Sequence, residues 1–350
     1  MTPLRYKILG NHTGLRVSEM ALGAAVFGTR WGYGSEEAEA RRIFDLYVEA
    51  GGNFIDTADG YQFGESEEIV GRLVGARRDD FVLATKYTFG AIAKGTVSTT
   101  GNSRKNMMRS VEASLKRLGT DRIDLYWVHF PDAVTPVDEI MRGLDDLVRS
   151  GKILYAGISD FPAWRIARAA TLAEVRGWAP LAAIQIEYSL VERTPERELL
   201  PMAQAFGLAT VIWSPLGGGV LTGKYRQGAT GRATDFKRVV HYEDSRQKTE
   251  IIDAVLAIAQ ETGATPSQVA IAWVRSKPVI TILGPRTREQ LQDNLGALDV
   301  RLSEDQLRRL DQASAIPLGF PHEVTADPGS RARIEGGVSE LIDFPGVPVV

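Results

Sequence analysis

Eight short apolar runs, each followed by a stretch with helical periodicity, predict an α/β fold of the (β/α)8 TIM barrel type for this 350-residue chain. Two further observations favour a barrel over an open doubly wound sheet. No shift in composition marks a linker, so residues 1–350 read as one domain. The G-x-G-x-x-G fingerprint of a dinucleotide-binding sheet is also missing: Gly217-Gly218-Gly219 has the wrong spacing and follows the seventh run, not the first.

The elements follow in order. Tyr6-Lys7-Ile8-Leu9 and Leu15-Arg16-Val17 flank Gly-Asn-His-Thr-Gly, the turn chemistry of a small N-terminal β-hairpin. The barrel is expected from about residue 18 to residue 314. Its first strand, 20–27, is rich in Gly and Ala, which suits a crowded interior. Ser35 stands where it would cap the next helix, whose Ile43, Leu46, Tyr47 and Ala50 share one face. Gly51-Gly52 ends that helix, and Phe54-Ile55-Asp56 is the second strand.

Further strands are expected at 81–86, 124–129, 153–158, 182–186, 209–213 and 279–283. Helices at 67–75, 103–118, 162–176, 195–206 and 245–261 alternate with them. Met107, Val111, Leu115 and Leu118 point inward from one of these. Thr135-Pro136 opens another, hydroxyl as cap and proline at the first helical position, with Ile140, Leu144, Leu147 and Val148 inward. A long loop runs to about residue 243. Thr265-Pro266-Ser267-Gln268 is a capping box, and Thr287 and Ser303 cap the last two helices. From Ile316 the pattern dissolves into a tail, 315–350, whose scattered apolar residues (Phe320, Leu341, Ile342, Phe344) predict packing over the barrel.

Bulk properties remove several function classes. With 44% hydrophobic and 24% charged residues the chain can bury a large core. A net charge of −3 leaves no electrostatic footprint for nucleic acid or an anionic membrane. Residues 1–10 lack the apolar region of a signal peptide, and no apolar stretch is long enough to span a bilayer, so a cytoplasmic protein is expected. Without cysteine there is no disulfide framework, thiolate metal site or thiol nucleophile. Four histidines without ligand spacing suggest no metal, and no G-x-S-x-G motif supports a serine triad.

What remains is polar chemistry at strand ends. Asp56, Lys86 and His129 each close an apolar run, and Tyr61 lies in the loop after the first of them. Taken singly, Asp56 is a cap or loop residue, Lys86 a solvated strand end, Tyr61 a loop aromatic and His129 a satisfied half-buried histidine. Together they fall on the barrel face where active sites are built. A phenol is a poor acid at neutral pH, but a neighbouring ammonium stabilises its anion, and a carboxylate behind the ammonium keeps it charged and oriented. Tyr61 backed by Lys86 and Asp56 therefore reads as a tuned general acid, with His129 aiming a carbonyl oxygen.

The strings carrying these residues are long and chemically mixed. Phe54-Ile55-Asp56-Thr57-Ala58-Asp59-Gly60-Tyr61, followed by Gly64-Glu65-Ser66-Glu67, resembles the first signature of the aldo-keto reductase superfamily. Ser114-Leu115-Lys116-Arg117-Leu118-Gly119-Thr120-Asp121-Arg122-Ile123-Asp124-Leu125 resembles its second. The likeness runs from Tyr6 to about Ala315 and is to the bacterial and channel-β-subunit branch. It implies NADPH-dependent carbonyl reduction, with Asp56, Tyr61, Lys86 and His129 as the catalytic tetrad.

The same resemblance implies a site for NADPH or NADP+. Ser159, Asp160 and Gln185 would hold the carboxamide, although Asp160 stands where the family more commonly has asparagine and lacks that residue's donor. Trp213 would stack on the nicotinamide, where tyrosine is more usual. Ser214, Pro215, Leu216, Gly217, Gly219, Leu221 and Lys224 form the pyrophosphate loop, in which glycine lets backbone approach phosphate. Gly284 follows the eighth strand, Arg286 would take the 2′-phosphate, and Gln290 and Asn294 the adenine end. Gln290 also reads as the capping-box partner of Thr287, and both roles are compatible.

The expected activity is reduction of an aldehyde or ketone, a keto sugar among the candidates, with Tyr61 as general acid. Two alternatives stay open: a cofactor-sensing regulatory subunit of the channel-β type, and an alcohol or sugar dehydrogenase working with NADP+. The expected partner is a small-molecule carbonyl substrate, lined by Trp31, Tyr33, Phe89, residues 92–102 and the tail. Oligomeric state is open.

Overall fold

Parallel pairing runs without a break around the sheet of the computed structural model, which describes residues 2–231, 234, 241–346 and 348. The strands are β3 (Met20–Gly23), β4 (Phe54–Asp56), β5 (Val82–Tyr87), β6 (Ile123–Val128), β7 (Ile153–Ser159), β8 (Leu181–Glu187), β9 (Ala209–Trp213) and β10 (Ile280–Leu283). β10 pairs with both β9 and β3, which closes the barrel. Side chains alternate between interior and helical layer, as a two-residue period requires. Phe54, Ala84, Leu125, Trp127, Ala183 and Val211 fill the inside. Ile55, Leu83, Tyr126, Val128, Ile184 and Ile212 face the helices.

β1 (Tyr6–Ile8) and β2 (Arg16–Ser18) form the expected antiparallel hairpin. Leu9 and Val17, both fully buried, join the interior core and stopper the amino-terminal end of the barrel. The opposite end, where the strands finish, is left for chemistry.

The helical layer comprises α1 (Glu37–Glu49), α2 (Glu65–Val74), α3 (Arg104–Leu118), α4 (Val137–Arg149), α5 (Ala163–Arg176), α6 (Leu199–Ala205), α7 (Arg246–Thr262), α8 (Pro266–Arg275), α9 (Arg288–Gly296) and α10 (Glu304–Ala313). Their inward faces are those the periodicity selects: Ile43, Leu46 and Tyr47 of α1, Met107, Val111 and Leu115 of α3, Ile140, Leu144 and Leu147 of α4. Thr265 with Gln268, and Ser303 with Gln306, form complete capping boxes.

Several local expectations are corrected. The first barrel strand ends at Gly23, because Phe27 N–H turns back to the Ala24 carbonyl (2.9 Å) and peels the chain away. Ser35 does not cap α1; its hydroxyl donates to the Arg286 carbonyl (2.6 Å), tying that loop to the one after β10. Thr135 does not cap α4 either, since its hydroxyl donates to Asp132 (2.7 Å) and Pro136 occupies the cap position. The helix expected at 195–206 is split: Thr194–Glu196 is a 3-10 turn, held where Arg193 donates to Glu196, and α6 starts only at Leu199. Thr287 caps α9, but Gln290 reaches past it to accept from the Arg286 N–H (2.8 Å), so the box is not closed.

The tail folds into α11 (His322–Ala326), α12 (Pro328–Ile334) and a last turn. It is tied on at its start, where Arg197 donates to the Pro317 carbonyl (2.9 Å) and His322 meets Glu198 (3.0 Å). No described residue beyond Ser314 is buried, and Phe320 and Leu341 are largely exposed. The tail adds nothing to the core, contrary to the packing its apolar content suggests. Of the long loop after β9, residues 232–233 and 235–240 lie outside the described residues.

Candidate active site

Inner positions in the last layer of the barrel carry polar groups instead of apolar ones. Asp56, Lys86, Ser159 and Gln185 are 2%, 0%, 0% and 2% exposed, which is rare for such side chains without partners. Each continues the inward parity of the apolar residue two positions earlier, such as Phe54, Ala84 and Ala183. His129 follows β6 in the same phase, after Leu125 and Trp127, and is 5% exposed.

Their bonds form one network. The Lys86 ammonium donates to Asp56 Oδ2, to the Thr57 carbonyl (2.8 Å) and to the Tyr61 hydroxyl (3.3 Å). The other carboxylate oxygen of Asp56 accepts from Trp127 Nε1 (3.1 Å) and Gln185 Nε2 (2.9 Å). Burial alone would lower the pKa of Lys86, but Asp56 and Tyr61 outweigh it and hold the ammonium above its ordinary pKa. His129 lies edge-on to Tyr61, ring centres 5.5 Å apart. Burial, and then the Lys86 charge, push its pKa well below the usual value, so the imidazole is neutral at physiological pH.

Tyr61 is delivered by a strained turn. Gln62 (φ 51°) and Phe63 (φ 53°) are both left-handed, a conformation costing on the order of 1 kcal/mol for a residue with a side chain. Gln62 offsets this with two bonds to the loop after β3: its carbonyl accepts from Trp31 N–H (2.8 Å) and its amide donates to the Tyr33 carbonyl (2.8 Å). The same bonds hold the Trp31 ring 6.0 Å from the Tyr61 ring.

Two structural residues went unread in the sequence. Trp127 looks like one more inward aromatic, and only the fold puts its N–H on Asp56. Gly157 makes room for it: a Cβ there would lie 2.4 Å from the Trp127 ring. The available signal is parity, since Trp127 is two residues before His129.

The Aldo/keto reductase family profile matches residues 19–315. The chain belongs to the aldo/keto reductase family. It is 37% identical to a norsolorinic acid reductase of Aspergillus flavus, over 90% of this chain and 82% of that protein. It is 40% identical to the oxidoreductase YrpG of Bacillus subtilis, over 92% of this chain and all of the relative. An aryl-alcohol dehydrogenase [NADP(+)] of Phanerodontia chrysosporium is 36% identical, over 92% of this chain and 89% of that protein. The chain is therefore an oxidoreductase, of a family that acts on small carbonyl compounds and generally uses NAD(P)H. No described helix is long and apolar enough to cross a membrane.

The residues of this aldo/keto reductase suit such a cofactor in part by their donors and in part by open space. Ser159, Asp160, Gln185 and Trp213 meet at the ends of β7, β8 and β9, with Ser159 Oγ donating to Asp160 (2.7 Å) and Trp213 Nε1 to its other oxygen (3.1 Å). After β9, Gly217 and Gly219 sit at φ 56° and 94°, and a Cβ on Gly219 would press Lys224 and Tyr225 at 3.2 Å. The N–H groups of Gly217, Gly218 and Gly219 bond back within the loop, to Ser214 and Leu216, so Lys224 is the loop's clearest offering to an anion. Pro215 and Leu221 are buried. Beside Gly284 there is open space, Arg286 lies over the Tyr33 ring (4.8 Å), and the nearly buried Asn294 amide has no hydrogen-bond partner among the described residues. Two cations and an unused amide fit a phosphate-bearing nucleotide.

Glu187, Glu192 and His241 bring ligand-type atoms within 4.8 Å of one another at this rim. His241 bonds to Glu187 (3.0 Å) and Glu192 accepts from Thr194 N–H (3.0 Å), which accounts for the grouping without an ion.

Proposed function

We propose that this aldo/keto reductase reduces an aldehyde or ketone with NADPH, Tyr61 giving the proton to the carbonyl oxygen. The observation carrying this is the shared ammonium: Lys86 is bonded at once to Asp56 and to the Tyr61 hydroxyl. As the phenol gives up its proton, negative charge develops on an oxygen already facing a fixed cation in a buried setting, where such contacts stabilise most. Neutral His129 bonds the substrate oxygen without adding a second positive charge. Bound NADPH supplies the hydride. Arg286 and Lys224 hold its phosphates, Gln290 and Asn294 its adenine end, and Ser159, Gln185 and Trp213 its nicotinamide.

The substrate class follows from the rings around Tyr61. Trp31 stands on one side of it, and Phe89 and Phe130 lie 5.0 and 5.2 Å from His129 on the other. Phe89 is half exposed, as a ring awaiting a partner would be. Offset stacking on such rings contributes about 0.5–1.5 kcal/mol beyond burial. This favours an aryl aldehyde or ketone over a keto sugar, and agrees with the aryl-alcohol name of one relative. That name also supports a second reading, oxidation of an aryl alcohol with NADP+ by the same residues in reverse.

The test is a panel of benzaldehydes, cyclohexanecarbaldehyde and a keto sugar, followed by NADPH absorbance, with the aryl alcohols and NADP+ in the other direction. Tyr61→Phe is expected to lose at least ~100-fold in kcat with every substrate while keeping its NADPH affinity. Unchanged turnover in that variant would remove Tyr61 from the role.

A further inference from the structure

At the rim of the barrel one carboxyl group is held by neutral donors alone. Asp160 follows β7 in the left-handed region (φ 57°), half-buried, between Ser159 Oγ (2.7 Å) and Trp213 Nε1 (3.1 Å). It forms no ion pair among the described residues. The charged groups near it stand on other strand ends and do not favour its ionisation. Glu187 at the end of β8, bonded to His241, repels a charge on Asp160. Lys86 on β5 attracts one, but it is already engaged by Asp56 of β4 and by Tyr61. His129, after β6, is kept neutral. Removal from water penalises the carboxylate and outweighs the two hydrogen bonds, and the group is pushed up to about 7.

We propose that Asp160 meets the cofactor as a neutral carboxylic acid, its hydroxyl donating to the carboxamide oxygen of the nicotinamide, so that ionisation of Asp160 weakens cofactor binding. The inference rests on the NADPH reading above. A protonated carboxyl is planar and carries one donor and one acceptor, the pattern of a primary amide edge, whereas a carboxylate only accepts. The Trp213 N–H can only donate, which keeps Oδ1 an acceptor, whereas Oδ2 as a hydroxyl still accepts from Ser159 Oγ while donating its own proton outward, so the proton belongs on Oδ2. The missing donor at position 160 is thereby restored, but only while the group is protonated. Affinity is then level below about pH 7 and falls as the pH rises through it.

The test compares NADPH with 2′,5′-ADP, which carries the same adenine and 2′-phosphate but no carboxamide. Dissociation constants for both are measured by quenching of tryptophan fluorescence between about pH 6 and pH 8.5. Because both ligands share the titrating 2′-phosphate, the ratio of their affinities isolates the nicotinamide end. In the wild type the NADPH advantage is expected to shrink about tenfold from pH 6 to pH 8, as one group half-ionised near 7 requires. In Asp160→Asn it stays at its low-pH value throughout. A wild-type ratio that does not move with pH overturns the proposal, whether or not the variant folds, and so does an equal slope in Asp160→Asn. Failure of the underlying reading looks different: neither NADPH nor 2′,5′-ADP would then bind saturably at any pH.

Discussion

The indole N–H of Trp127 donates to Asp56 Oδ1 at 3.1 Å, on the carboxylate whose other oxygen holds Lys86. The bond that charges and aims the lysine is therefore itself aimed from the centre of the barrel. Asp56 is 2% exposed, so water does not substitute for a lost donor.

Trp127→Phe keeps the aromatic filling and removes only the donor, leaving Gln185 as the remaining partner of that oxygen. A stability loss of about 1–2 kcal/mol in urea unfolding is expected. Turnover is expected to fall about tenfold, with NADPH affinity unchanged, because the tilt of Asp56 reaches Tyr61 through Lys86. A variant with full kcat would show that Gln185 alone positions the carboxylate.

The barrel and the four polar residues were legible because both rest on a period of two. Once Phe54, Ala84 and Leu125 face inward, Asp56, Lys86 and His129 must follow them in phase. Parity says nothing about which inward group bonds to which, so Trp127 and the space Gly157 leaves for it stayed hidden. Ser35 and Thr135 failed as caps for a related reason. A hydroxyl before a helix has an intrahelical use, but Arg286 and Asp132, distant or local, offered better geometry. In the tail, apolar content is a poor guide to burial: Phe320, Ile334 and Leu341 are exposed.

Lys86→Met tests what the ammonium does for the fold as well as for catalysis. The substitution leaves Asp56 as a buried carboxylate without its cation, a change that costs about 3–5 kcal/mol. Adding Asp56→Asn removes that orphaned charge, so the double variant is expected to unfold at higher urea than the single one. Neither regains activity. A double variant no more stable than Lys86→Met would mean that an orphaned charge on Asp56 is not what destabilises the single variant.

Arg286 is held over the Tyr33 ring at 4.8 Å, while its own backbone is fixed from both sides, by Ser35 at the carbonyl and Gln290 at the N–H. A guanidinium so prepared suits a 2′-phosphate. Arg286→Ala is expected to raise the Kd for NADPH by about 10- to 100-fold, equivalent to the ~1.5–3 kcal/mol of a charge-assisted bond, and to leave NADH nearly unchanged. Tyr33→Leu, which removes only the ring beneath the cation, should cost NADPH a few-fold. Equal losses for the two dinucleotides would assign Arg286 to the shared phosphates instead.

Asp59 gives the most direct pH signature in the fold. It is fully buried, no side chain hydrogen-bonds its carboxylate, and burial followed by the nearby Glu67 charge outweighs Arg117 and the Gly60 and Gly90 backbone, pushing its pKa up to about 7 from an ordinary 3.8. The folded protein thus keeps this proton where the unfolded chain has lost it. Stability therefore declines from about pH 4 to pH 7, over which the folded state binds more protons, and levels off above. In Asp59→Asn this decline disappears. Relative to the wild type the variant should gain on the order of 4 kcal/mol between pH 4 and pH 8, about three pKa units at about 1.4 kcal/mol each. Urea titrations of both proteins at pH 4, 6 and 8 measure the difference. A gap that is constant across the series would mean that Asp59 is already ionised in the folded chain at pH 4, with Arg117 balancing it.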